Sequence, residues 1–325
     1  MRMSRRGWMA VAGGAVGATL AGAIGGWAQT ASTRPAGDDV LKGVIDFHCH
    51  SGPDVIGRSI NDFEVVRQAK AARMRAIVLK NHYTMTADRA ELAEQEIGGI
   101  EVFGGITLNR SVGGLNPEAV RKMVQMDGRR GRVVWLPTFD SEAQVKAAGE
   151  NRPFVSVVKD GQVVPDLKEI IGICAQEHLI LAMGHVAASE SLVILPEAKQ
   201  AGVMRLLVTH AMSVPGGATD EQLKQMAALG AYVEMTWLAT LPGSSTRPTA
   251  KGLAGQVSLA DYVRVIRMIG AEHVLISSDM GQMQRPTHVA AMRAFVLALQ
   301  AGGLSDAETD LVARKNSAGL LGLEG

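Results

Sequence analysis

Two histidines separated by one residue close an apolar run at "VIDFHCH", residues 44–50. Side chains alternate along an extended chain, so His48 and His50 face one side and Cys49 the other, and the two imidazoles can clamp one ion. Imidazole and carboxylate together suit borderline divalent cations, zinc above all. A His-x-His pair is a weak signal alone. Its weight comes from residues in equivalent places further on: His82 in "LKNH" beside Lys80, His185 closing "LILAMGH", His210 closing "RLLVTH" and Asp279 closing "HVLISSD". The chemistry open to such a set is attack by a water whose pKa a bound ion lowers to about 7, with a neighbouring carboxylate accepting the proton.

What must position these residues is a series of short apolar or β-branched runs at 43–48, 75–80, 101–107, 132–137, 179–185, 205–210, 231–236 and 273–279. Amphipathic stretches at 61–74, 116–126, 166–178, 219–230 and 258–270 alternate with them, and Asn61, Asn116, Thr219 and Ser258 are placed as N-caps. Eight strand-helix units predict an α/β fold, a (β/α)8 TIM-type barrel, whose active sites lie at the C-terminal ends of the strands. Strand ends make up about a tenth of such a chain, yet they take five of the eight histidines. His178, His273 and His288 read as structural. The run 154–165, alternating around Asp160-Gly161, predicts a β-hairpin inserted between strands four and five. The Gly/Ser/Pro-rich stretch 238–256 reads as a mobile active-site loop.

The chain has 325 residues, 47% hydrophobic and 20% charged, with a formal charge of +1. It is long enough for a large core, and no basic run marks a nucleic-acid surface, which leaves small-molecule chemistry. Residues 1–30 differ from the rest: arginines, then a Gly/Ala-rich uncharged stretch. "SRRGWM" resembles a twin-arginine export signal. Cleavage near residues 28–31 gives a periplasmic or exported protein with no stable membrane insertion, its early partner the twin-arginine export machinery. Loss of Arg2, Arg5 and Arg6 takes the charge from +1 to −2. Residues 31–42 then form a linker and 43–325 one barrel domain. Cys49 and Cys174 are expected as free thiols.

The pattern Asp-Phe-His-Cys-His on strand one, lone histidines after strands five and six, Ser-Asp after strand eight and the closing "ARKNSAGLLGL" resembles the amidohydrolase superfamily of metal-dependent barrel hydrolases. "HSGPD", "VLKNHYTMT", "FGGITLN", "GGLNPEAV" and "VWLPTFDS" resemble more closely an amidohydrolase-related family of unknown function. The resemblance spans about residues 42 to 323. It implies metal ligation by His48, His50, His185 and Asp279, with Asp279 also taking the water's proton and His210 polarising the substrate or binding a second ion. Binuclear members bridge their ions with a carboxylated Lys or a Glu from a middle strand. Strand four here ends "WLPTFD" with neither, and Lys80, Asp140 and Glu234 all lie elsewhere, which favours one Zn2+ per chain over two. Lys80, His82 and Arg110 are then substrate-facing, with an anionic small molecule in view, and Asp46 is a carboxylate behind a ligand imidazole. The implied reaction is hydrolysis of an amide, lactone or ester. Decarboxylation at a single metal and non-catalytic metal or ligand binding are the alternatives.

Overall fold

A computed structural model describes residues 39–213, 215, 217–242 and 257–323. The export segment 1–30, most of the linker and most of the loop 238–256 lie outside the described residues. Ten strands follow in chain order: β1 Ile45–Cys49, β2 Ala76–Leu79, β3 Glu101–Thr107, β4 Gly131–Trp135, β5 Val158–Lys159, β6 Gln162–Val163, β7 Ile180–Ala182, β8 Leu206–Val208, β9 Tyr232–Thr236 and β10 Val274–Ser277. Eight of them form one parallel sheet in the order β1-β2-β3-β4-β7-β8-β9-β10. The sheet closes where Asp279 N donates to His48 O and His50 N to Met280 O, both at 2.9 Å. This is the expected (β/α)8 barrel, and its seam is fastened by the segments that bear the candidate ligands. The antiparallel β5-β6 pair is the expected hairpin, turning through Asp160 and Gly161 at positive φ.

The helices begin where local chemistry dictates. Asn61, Asn116, Thr219 and Ser258 each accept a backbone N–H two or three residues into their helices, satisfying donors the first turn leaves free. Behind the strands, Val65, Val66, Leu167, Ile170, Val265 and Ile266 are among the helix side chains that fill the outer core. Inside, Ile45, Phe47, Phe103, Trp135 and Leu275 pack together toward the floor of the barrel, with Leu320 and Leu321. Asn316 fixes the closing helix there by donating to Ala271 O at 2.8 Å and Val274 O at 2.6 Å, at the entry to β10.

Two irregularities shape the top of the barrel. Between Asp46 and Cys49, β1 uses three residues where β2 uses two, a bulge that shifts the side-chain phase. A second lies between β3 and β4 at Gly104/Gly105, where a Cβ on Gly105 would stand 2.1 Å from Val133 O. Gly105→Ala must therefore push β3 and β4 away from each other. The expected cost is about 3 kcal/mol or more, read as a lowered denaturant midpoint. An unchanged midpoint would show that the strands yield freely at this point.

Candidate metal centre

His48 and His50 leave β1 with their rings over the barrel mouth, and Asp279 meets them from the end of β10. His48 Nε2, His50 Nε2 and Asp279 Oδ1 form a triangle with 3.2 Å on every edge, and all three residues are buried. His48 Nδ1 lies 3.1 Å from Glu234 Oε1, which only accepts, so that nitrogen carries a proton. His50 Nδ1 lies 3.0 Å from the carbonyl of Lys80, an acceptor, and 3.4 Å from Arg58 Nη2, a donor; the shorter contact places the proton on Nδ1. With the rings neutral, each Nε2 presents a lone pair, and three acceptors this close favour a cation; the Lys80 ammonium, 3.0 Å from His48 Nε2, touches one corner. Zinc bonds of about 2.0–2.1 Å in a tetrahedron set neighbouring ligand atoms about 3.3–3.4 Å apart, which the triangle matches closely. The residues present fit a divalent ion.

The carboxylate behind His48 is Glu234, in the middle of β9. Its Oε1 also accepts from Ser277 Oγ at 2.6 Å, and its Oε2 from His210 N at 3.1 Å. Burial alone would raise its carboxyl, but any positive charge on His48 or His210 and the hydrogen bonds from His48 and Ser277 pull it down to about 2. Asp46, expected in this place, acts on the backbone: Oδ1 accepts His48 N at 3.2 Å and Ser278 N at 2.9 Å, clipping β1 to the end of β10. The β1 bulge is the reason, because it turns Asp46 away from the side on which His48 emerges. His288 opens its helix with Nε2 donating to His50 O at 3.0 Å, so it braces the site from below.

Lys80 is buried at the end of β2, with Nζ 3.0 Å from His48 Nε2 and 5.3 Å from the Trp135 ring. Burial lowers its pKa to about 8. Four further contacts close a circle of five imidazoles around the barrel mouth. Ring centroids are 4.7 Å apart for His50–His82, 6.1 Å for His82–His185, 4.7 Å for His185–His210 and 6.1 Å for His48–His210. Burial holds His50, His82 and His185 well below the usual histidine range and His210 at about 3, so they stay neutral. Both ring nitrogens of His210 are buried with no partner among the described residues, and its backbone, like that of Asp279, has positive φ. His185 stands next to the triangle rather than within it, its Nδ1 3.1 Å from Gln144 Oε1.

The arginines sort differently from their sequence positions. Arg110 is exposed on the turn after β3, where its backbone N donates to Asp140. Asp140 itself is held by Arg152 at 2.5 Å, away from the imidazoles. Arg58, in contrast, has a side chain only 2% exposed, paired with Asp54 at 2.7 Å, and its Nη2 comes within 3.4 Å of His50 Nδ1. Glu234 stands out in the sequence only as a carboxylate in the wrong strand for a bridge, and Gln144 and Thr138 carry no readable signal: the importance of each depends on which strand stands beside it. Cys49 and Cys174 are buried free thiols.

Known structures share this architecture. A 2-pyrone-4,6-dicarboxylic acid hydrolase from Pseudomonas putida, itself named as putative, superposes with a TM-score of 0.57 at 17% identity, covering 88% of this chain and 99% of its own. An amidohydrolase from Burkholderia multivorans with bound zinc gives 0.56 at 14% identity, over 86% and 99%. A 2,6-dihydroxybenzoate decarboxylase from Rhizobium gives 0.52 at 11% identity, over 88% and 100%. At these identities the likeness is one of fold, the (β/α)8 barrel. No curated protein matches the chain in sequence. A model of one family, described as a family of unknown function (DUF6282), matches residues 43–234, more than half of the chain and every strand from β1 to the first residues of β9. The chain belongs to that family of unknown function.

Proposed function

We propose that this protein is a metal-dependent hydrolase of the amidohydrolase type, cleaving an amide, lactone or ester bond of a small molecule. The observation that carries the reading is the triangle of His48, His50 and Asp279, whose potential ligand atoms converge to 3.2 Å from one another. These three would hold one ion, most simply Zn2+, with His185 as the nearest further imidazole. The ion, when bound, supplies a Lewis acid and a water acidic enough to react near neutral pH. Asp279 then has the place and the chemistry of the proton acceptor. His210, whose two ring nitrogens have no partner among the described residues, is the group to receive a hydrogen bond from substrate or give one to it. Lys80 and Arg58 put two cations beside the triangle, which favours an anionic substrate. The same cations would suit a carboxylate lost as CO2, so decarboxylation is the second reading. The twin-arginine-like "SRRGWM" supports action outside the cytoplasm.

The test is a screen of amides, lactones, esters and aromatic or keto acids with zinc-loaded protein, beside Asp279→Asn. Hydrolysis that falls by about a hundredfold or more in the variant supports the first reading. Release of CO2 from acids alone replaces it with the second. Zinc binding without turnover of any class leaves a binding protein.

A further inference from the structure

We propose that His82 is a hydrogen-bond donor to a substrate oxygen, its proton fixed on Nε2 by a relay that starts at Asn109. The inference rests on the hydrolase reading for its substrate and on hydrogen-bond bookkeeping for the rest. Asn109 is buried after β3, and its side-chain oxygen accepts two backbone N–H groups, Thr138 at 2.9 Å and Asp140 at 3.1 Å. Backbone N–H only donates, so the amide orientation is determined. Its nitrogen must then donate, and it does so to His82 O at 2.8 Å and Thr138 Oγ1 at 2.7 Å. Thr138 is fully buried, and its hydroxyl proton has one acceptor among the described residues, His82 Nδ1 at 2.8 Å. A proton on Nδ1 would leave that hydroxyl hydrogen buried without a partner, at a cost that disfavours it. His82 is therefore bare at Nδ1 and protonated at Nε2.

This is the opposite tautomer from His48 and His50. Those rings give their Nδ1 protons to acceptors and turn lone pairs toward an ion; His82 takes a hydrogen bond at Nδ1 and keeps an N–H on Nε2 that meets no hydrogen-bond partner among the described residues. Its faces are covered by His50 at 4.7 Å and Phe139 at 4.0 Å, so the ring cannot swing. A fixed neutral donor beside the triangle suits a carbonyl or carboxylate oxygen that gains negative charge, and it costs little reorganisation. As long as the relay stands, His82 is not a metal ligand through Nε2.

The experiment is nitrogen NMR on protein labelled at histidine, first without zinc, with His82→Gln to assign the signal. The expected wild-type pattern for His82 is a bare Nδ1 and a protonated Nε2; Thr138→Val shifts it toward the other tautomer and Thr138→Ser keeps it. The reverse pattern in the wild type overturns the relay. Acetate is then titrated into zinc-free and zinc-loaded protein, followed by calorimetry and by the His82 Nε2 signal. Movement of that signal with binding, weakened about tenfold in Thr138→Val at unchanged zinc content, supports the donor role. Acetate binding that leaves His82 unmoved, or no acetate binding, overturns it. Failure to bind zinc at all would count against the hydrolase reading while leaving the tautomer result standing.

Discussion

Replacing His48 and His50 together by alanine is expected to remove the metal entirely. Elemental analysis by mass spectrometry should find about one zinc-like ion per folded wild-type chain and none in the double variant. The variant deletes two of the three convergent donors and leaves Asp279 Oδ1 as a lone carboxylate oxygen, which cannot retain a borderline cation against water. Neutral imidazoles bind metal without first losing a proton, so His50, whose burial holds its pKa low, is ready at neutral pH. Zinc at about a hundred times its dissociation constant should stabilise the wild type by about 2.7 kcal/mol and the variant not at all. Two ions per chain would bring Lys80 or the His185–His210 pair into a second site. No metal in the wild type, purified without chelators, would sink the catalytic reading.

How much of the fold and the site is legible in the sequence depends on whether a feature is local. Strand and helix periods, N-caps and the Asp160-Gly161 turn are written within a few residues, and each appears where the sequence places it. The convergence of His48, His50 and Asp279 follows from the barrel alone, since strand ends one and eight are neighbours in a closed sheet. The errors are where an irregularity or a distant strand decides. Strict alternation puts Asp46 on the side of His48; the bulge in β1 breaks that alternation, and Glu234 from β9 takes the role. Arg58, nine residues beyond β1, lies beside His50 with Asp54, four residues earlier, as its ion-pair partner, whereas Arg110, only three residues beyond β3, has no such ion pair among the described residues and is exposed. His288 braces His50 through a bond across more than two hundred residues, which no local pattern announces.

Glu234 should prove the most sensitive position outside the triangle. All of its contacts are donors: His48 Nδ1–H and Ser277 Oγ–H on one oxygen, His210 N–H on the other. Glu234→Gln keeps the size and fails the chemistry, because its amine must face a donor whichever way the amide turns. Turned toward His210, it leaves a buried backbone N–H unsatisfied at a cost of about 1–3 kcal/mol. Turned toward His48, it drives the ring to the other tautomer, moving the proton to Nε2 and removing a metal lone pair. A change behind a ligand histidine typically costs about 10–100-fold in metal affinity, and that loss is expected here by chelator competition. Glu234→Leu should lose affinity similarly and fold less stably still, with three donors stranded instead of one. Because the folded carboxyl is held near about 2 against an ordinary value of 4.5, its contribution is present above about pH 5 and fades only as pH falls toward 2. The stability deficit of both variants should therefore be constant between about pH 6 and 8. Full zinc affinity in Glu234→Gln and Glu234→Leu alike would show that Glu234 supports the fold and not the metal.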